Sequence, residues 1–314
     1  MARDGLRSTV DRALVSTALP EGGTNAVGRM LGLLGDEWTL LILQQATLGA
    51  TKYGQFTERL PISHAVLTRR LEAMTANGLL ARRTYQARPL RADYVLTPRG
   101  RALWPVLVSI WEWERHWVPD HAQRLPAMHH AVCGDDFAPV LQCAACTEPV
   151  TEKDIGAQWG PSGGWSRSIP VLSTRRRSNS DRVGGRADLF PETMSILGNR
   201  WAFALLVAAF VGASRFGDFQ DQLGAPPGSL TDRLQIFTAN GVLAAGDGRY
   251  RLTEKGRAVF PILITSLQWA QRCFHAPEGP AVELVHTDCG AAFEATLACD
   301  QCASPLRGAE VATR

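Results

Sequence analysis

The chain holds 314 residues, 45% of them hydrophobic and 20% charged, and its 33 Lys and Arg against 30 Asp and Glu leave a formal net charge of +3. That is the composition of an ordinary globular chain rather than a fibrous or disordered one, and so near-neutral a balance requires any surface for an acidic partner to be local. No run reaches the ~18–20 apolar residues that span a bilayer, and the opening MARDGLRSTVDRAL lacks the apolar stretch of a secretory signal, so a cytoplasmic protein without membrane contact is expected.

Residues 1–24 are polar and expected to be flexible. Val27, Met30, Leu31, Leu34, Trp38, Leu41 and Ile42 recur at helical spacing. A break at Gly35–Asp36 divides this run into two expected helices. YGQFTERLP (53–61) reads as a short amphipathic helix stopped by Pro61. Ser63 is placed to cap a further helix with Leu67, Leu71 and Met74 on one face, ended by Asn77–Gly78. Two extended segments around Pro89 then form a hairpin. Thr97 and Pro98 open a long helix bearing Leu103, Val106, Ile110 and Trp111. A Cys/His cluster follows at 129–150, and the Gly/Pro/Ser-rich residues 151–187, with three arginines at 175–177, read as a linker.

The same order then returns. LGDEW (34–38) reappears as LGNRW (197–201), YGQF (53–56) as FGDF (216–219), and LTRRLEAMTANGLL (67–80) as LTDRLQIFTANGVL (230–243), each 163 residues on. LTPRGRALWPVL (96–107) reappears as LTEKGRAVFPIL (252–263), 156 residues on, so copy two is seven residues shorter in the hairpin. A repeat of this length sets the architecture: domains at 25–128 and 188–280, Cys/His clusters at 129–150 and 281–306, and a flexible tail at 307–314.

Helix, helix, turn, helix, hairpin, helix is the order of a winged helix-turn-helix. The string LGDEWTLLIL…YGQFTERLPISHAVLTRRLEAMTANGLLARR…YVLTPRGRALWPVL resembles the HxlR-type bacterial regulators over about 90 residues per copy. The fold expected is α+β, mainly α with small β-hairpins: tandem winged helix-turn-helix domains, each followed by a zinc-ribbon-like appendage. The resemblance implies a transcription factor that binds double-stranded DNA as a two-fold dimer, represses, and answers to a small-molecule effector. Some relatives sense electrophiles through a cysteine ahead of the first helices; this chain has none before Cys133.

In such a domain the third helix enters the major groove. With Leu67 at zero and 100° per residue, Leu71 and Met74 fall within ~40° of it, while Thr68, Ala65 and Arg69 fall at ~100°, ~160° and ~200°. Arg69, with Thr68 beside it, is therefore the first candidate for base contact. Ser63, His64 and Arg70 flank it, and Arg82, Arg83, Arg88 and Arg91 give the hairpin the charge of a wing that tracks phosphates. Copy two differs: Asp232 replaces Arg69, and APPGS (225–229) replaces ISHAV. This suggests that the helix starts a turn later, with Ser229 and Asp232 as a capping pair. Residues 62–100 carry seven basic and two acidic side chains, the aligned 225–256 four and three. Copy two is thus expected to add little to DNA affinity.

Each cluster reads H-x2-C-x9-C-x2-C: His130, Cys133, Cys143 and Cys146, then His286, Cys289, Cys299 and Cys302. Four such ligands suit a closed, structural, tetrahedral Zn²⁺, giving two zinc ions per chain. Reduced thiols without metal and a redox sensor are the alternatives; disulfides fit a reducing compartment poorly. The apolar helices at 97–117 and 253–274 should pack on each other, making a pseudo-dimer within the chain, or join two chains as a homodimer. No nucleophile elbow, P-loop, dinucleotide fingerprint or HExxH is present, which sets aside an enzyme. A winged-helix scaffold for ligand or protein that has lost DNA remains the rival reading.

Overall fold

The computed structural model describes residues 14–87, 90–119, 125–169 and 200–313, together with 193, 196 and 197. Copy one contributes α1 (Ala26–Leu34), α2 (Glu37–Thr47), α3 (Tyr53–Arg59) and α4 (His64–Ala76), then the hairpin β2 (Leu80–Ala87) and β3 (Leu90–Leu96). The caps expected at Ser63 and Thr97 form, and Asp36, at the expected break, caps α2 as well. Asp36 accepts from Thr39 N–H, Ser63 from Val66 N–H and Thr97 from Gly100 N–H, and Gly78 holds a φ of +70° just past α4. The helix expected from Pro98 is interrupted: α5 (Pro98–Arg101) turns at Ala102–Leu103 before α6 (Trp104–Trp117). Pro105, in the first turn of α6, has no N–H to continue a ladder, which accounts for the break.

Copy two follows the same path through α8 (Arg200–Phe210), α9 (Phe216–Leu223), α10 (Pro227–Ala239), β7 (Leu243–Gly246), β8 (Arg249–Leu252), α11 (Glu254–Arg257) and α12 (Phe260–Cys273). An equivalent glycine in each copy is demanded by packing. A Cβ on Gly100 would lie 2.2 Å from the Leu79 carbonyl oxygen, and one on Gly256 would lie 2.1 Å from that of Val242. The wing of copy two closes over Asp247 and Gly248, both at positive φ (52° and 67°), as a two-residue hairpin turn requires.

The two copies are joined along α6 and α12. Trp113 Nε1 donates to the Lys255 carbonyl at 3.1 Å, and its repeat partner Trp269 donates to the Arg99 carbonyl at 3.0 Å. The reciprocal pair reveals a pseudo-two-fold axis between the copies. The segments after α6 and α12 obey the same axis. They form β4 (Met128–His130), β5 (Pro139–Cys143), β6 (Ile155–Trp159), β10 (Val282–His286), β11 (Ala295–Cys299) and β12 (Val311–Thr313). β5 pairs antiparallel with β11, Leu141 facing Leu297 at the centre, while β4 pairs with β12 and β6 with β10. Every one of these ladders crosses from one copy to the other.

Three expectations of disorder are corrected by these pairings. Of the N-terminal 1–24, residues 1–13 lie outside the described residues, and 14–24 carry β1 (Thr17–Ala18), parallel to β9 (Phe274–His275) of copy two. The linker expected at 151–187 holds β6 and α7 (Trp165–Ser168), and residues 311–313 of the tail are β12; of that linker, 170–187 lie outside the described residues. Asn25, fully buried, explains the docking of α7. Its amide donates to Ser162 O and Ser168 Oγ at 3.0 Å, and its oxygen accepts from Gly28 N–H. Among the described residues no helix is long and apolar enough to cross a membrane.

Overpacking at the glycine contacts sets an expectation. Gly100→Ala and Gly256→Ala should each lower unfolding free energy in urea by about 1–3 kcal/mol. Gly217→Ala, where a Cβ meets open space within α9, should raise it by about 0.5–1 kcal/mol.

Candidate functional site

The first surface is built on α4. Leu67, Leu71 and Met74 are buried to 2% exposure or less and pin the helix to its domain, while Ala65, Thr68 and Arg69 are exposed on the opposite side. Ser63 and His64 are also exposed. Arg70 is drawn elsewhere: its guanidinium forms an ion pair with Asp36 at 2.5 Å. Asp36 thereby caps α2 and ties α4 to it, so Arg70 orients α4 instead of reaching outward.

One residue at this surface escaped the sequence reading. The Tyr53 hydroxyl donates to the His64 carbonyl at 3.0 Å and lies 3.2 Å from Thr68 Oγ1; its ring stacks on the His64 ring at 5.8 Å and 7°. Tyr53 thus holds the first turn of α4 at three points. Its counterpart is Phe216, which has no hydroxyl; that substitution within the YGQF repeat was the available signal.

The wing extends the surface. Arg82 and Arg83 face Tyr94 and Asp93 across the β2–β3 ladder, and both are exposed although neighbours in a strand point to opposite faces. A two-stranded ribbon standing away from its domain exposes both faces. Arg91 is exposed too, and Arg88 lies outside the described residues.

In copy two, α10 spans the same 13 repeat positions as α4. The expectation of a later start is corrected: Pro227 opens the helix after Pro226, with no side-chain cap, so a Ser229–Asp232 cap does not form there. Proline suits the first helical turn because its missing N–H had no intrahelical partner. Asp232 is exposed where Arg69 is exposed in copy one. The wing runs four residues per strand against eight and seven, with Arg251 exposed and Arg249 bonded to Ser214 Oγ at 3.1 Å.

The second feature is the pair of Cys/His groups, and here the expectation that each cluster closes on itself is overturned. His130 and Cys133 of copy one stand with Cys299 and Cys302 of copy two, while His286 and Cys289 stand with Cys143 and Cys146. The crossing follows from the ladders. Antiparallel β5 and β11 place Cys143 opposite Ala295 and Cys299 opposite Pro139, so each C-x2-C turn is delivered to the far end. There β4 and β10 present the other copy's histidine, each nearly fully buried. In the first group, His130 Nδ1 lies 3.4 Å from Cys133 Sγ and 3.5 Å from Cys302 Sγ, with Cys133 and Cys299 sulfurs 3.9 Å apart. In the second, His286 Nδ1 lies 3.2 Å from Cys289 Sγ and 3.4 Å from Cys146 Sγ, with Cys143 and Cys289 sulfurs 4.0 Å apart. Tetrahedral bonds of ~2.0 Å to nitrogen and ~2.3 Å to sulfur give edges of about 3.5–3.8 Å, so each group could hold a metal ion.

The thiols are also prepared for the charge a metal requires. Burial raises the Cys143 thiol, but backbone N–H groups of Cys146 and Ala145, with the Cys146 and Cys289 thiols, outweigh it and bring the pKa to about 7. The hydroxyl and N–H of Ser304 bring Cys302 to about 6. One thiol in each group is thus biased toward thiolate.

The sequence of both copies is similar to known regulators. Residues 33–122 and 196–278 both fit the HxlR-like helix-turn-helix family, together more than half of the chain. An uncharacterized HTH-type transcriptional regulator of Mycobacterium tuberculosis strain H37Rv is 35% identical over 136 residues, 43% of this chain and 86% of the relative. One of Synechocystis sp. is 32% identical over 93 residues, 29% of this chain and 69% of that protein. The solved structure of the redox regulator HypR in its oxidized form is 27% identical, covering 29% of this chain and 94% of that one, with a TM-score of 0.27. Two matched regions on one pseudo-two-fold scaffold lead to a single assignment: the chain belongs to the HxlR-like helix-turn-helix family and carries that domain twice.

Proposed function

We propose that the chain is a sequence-specific DNA-binding repressor whose first copy grips DNA and whose second copy serves mainly as its fused partner. The observation that carries this reading is the exposed face of α4, where Thr68 and Arg69 project beside a wing bearing Arg82, Arg83 and Arg91. The same position in copy two exposes Asp232, a carboxylate that phosphates repel. Tyr53 and Arg70 support the first surface by fixing α4, and repression is what the family resemblance suggests. With one gripping copy per chain, two chains are needed to read a palindrome. The two Cys/His groups hold structural Zn²⁺, which bolts one copy to the other.

A bidentate arginine–guanine contact is worth ~1–3 kcal/mol of discrimination. Arg69→Ala should therefore weaken operator binding by about that amount and relax preference at one base position per half-site, read by selection from random duplex. Equal weakening on every sequence would reassign Arg69 to phosphate.

Wing charge separates the copies. Neutralising Arg82 and Arg83 should cut operator affinity strongly and flatten its salt dependence, because fewer counterions are released. Neutralising Arg249 and Arg251 should leave both nearly unchanged; comparable losses would show that one chain spans two half-sites.

Elemental analysis should find two zinc ions per chain. Crossing makes the double variants diagnostic: His130→Ala with Cys302→Ser should remove one, whereas His130→Ala with Cys143→Ser should remove both. Closure within each copy predicts the reverse, and metal-free purified protein ends the zinc assignment. Loss of metal should lower the melting temperature, since ligation is linked to folding.

A further inference from the structure

The pseudo-two-fold axis relates two cavities that have diverged. One, of about 350 Å³, is walled in part by Gln44, Thr47, Trp104, Leu107, Val108 and Trp111. At the same six repeat positions the other has Val207, Phe210, Phe260, Leu263, Ile264 and Leu267, and it encloses about 540 Å³. Replacing Trp111 by Leu267 and Trp104 by Phe260 opens the space, and replacing Gln44 and Thr47 by Val207 and Phe210 removes polar groups from it. Copy one adds Val27 and Met30 of α1, and Trp159 and Trp165, whose rings meet edge to face at 5.3 Å and 82°. Trp159 and Val211 are 41% and 52% exposed, an apolar rim of the kind that marks a binding mouth.

Two polar features define what fits. Glu152 in the wall is balanced by Arg257, with Nε 3.6 Å from its carboxylate, so no uncompensated charge calls for an ion. Gln222 also lines the cavity, and its amide oxygen is buried without a hydrogen-bond partner among the described residues. A buried acceptor of this kind asks for a donor. The volume lies within the ~300–1,000 Å³ of small-molecule sites, which are apolar with a few placed polar groups.

We propose that this cavity between the copies binds one neutral, largely aromatic small molecule that carries a hydrogen-bond donor for Gln222, and that the smaller cavity on the other side of the axis does not. The site bears on α12 at the junction of the copies and on α8, which packs against α10. An occupant is therefore placed to alter the spacing of α4 and α10; that consequence rests on the DNA-binding reading, whereas occupancy does not.

The test uses the full chain and N-phenyl-1-naphthylamine, a neutral fluorophore with one N–H. Its emission should rise saturably with one site per chain. Leu267→Trp restores the side chain that copy one already accommodates, and should weaken binding at least tenfold with unchanged melting; Phe260→Trp is the second filling variant. Gln222→Leu should weaken this probe about fivefold and leave 1-phenylnaphthalene, which lacks the donor, unaffected. Unsaturable emission, no binding, or equal affinity in wild type and both filling variants overturns the site. Equal losses of both probes in Gln222→Leu overturn the ligand class. Each result stands whatever the DNA measurements give.

Discussion

The antiparallel ladder of β5 on β11 governs the molecule. Because Leu141 faces Leu297, residues at one repeat position, the ladder places the symmetry axis through its own centre. An antiparallel strand sends its end to its partner's beginning, so each C-x2-C turn is carried to the opposite copy. The outer ladders β4–β12 and β6–β10 and the reciprocal tryptophan bonds follow the same axis. Neither Cys/His group could be assembled from one copy in this register.

Fusion releases the copies from sameness. In a dimer of identical chains a substitution appears on both sides of the axis. Here Arg69 and Asp232, Tyr53 and Phe216, and Trp111 and Leu267 occupy equivalent places with opposed properties. The changes in copy two are mutually consistent. The exposed face of α10 carries Asp232 in place of a cation, Phe216 lacks the hydroxyl that holds the start of α4, and the wing is shorter, while the buried positions Leu230, Leu234 and Phe237 keep the helix in place.

Much of this was legible in the sequence where the cause is local. The break at Gly35–Asp36, the caps at Ser63 and Thr97, the stop at Gly78 and the apolar face of α4 each depend on residues within a few positions. The seven-residue deletion located the short wing for the same reason. What escaped depends on distant partners. The spacing H-x2-C-x9-C-x2-C satisfies closure within a copy and exchange between copies equally well, so it cannot choose between them. Residues 151–169 look like a linker because their Gly and Pro are visible, whereas the partner strand of β6 lies more than 120 residues away. The Ser229–Asp232 spacing suggests a later cap for α10, but proline is compatible with a first helical turn, and the helix starts at Pro227.

The exchange of Cys/His residues between the copies also imposes an order on biosynthesis. Cys133 is separated from Cys302 by 169 positions, and at ~5–20 residues per second a ribosome needs about 10–30 s to cover that interval. Throughout it, His130, Cys133, Cys143 and Cys146 are together on the emerging chain without their final partners. A nascent copy one that closes on itself must reopen before the native exchange can form. The crossing therefore makes maturation of the first half wait on the last residues of the second.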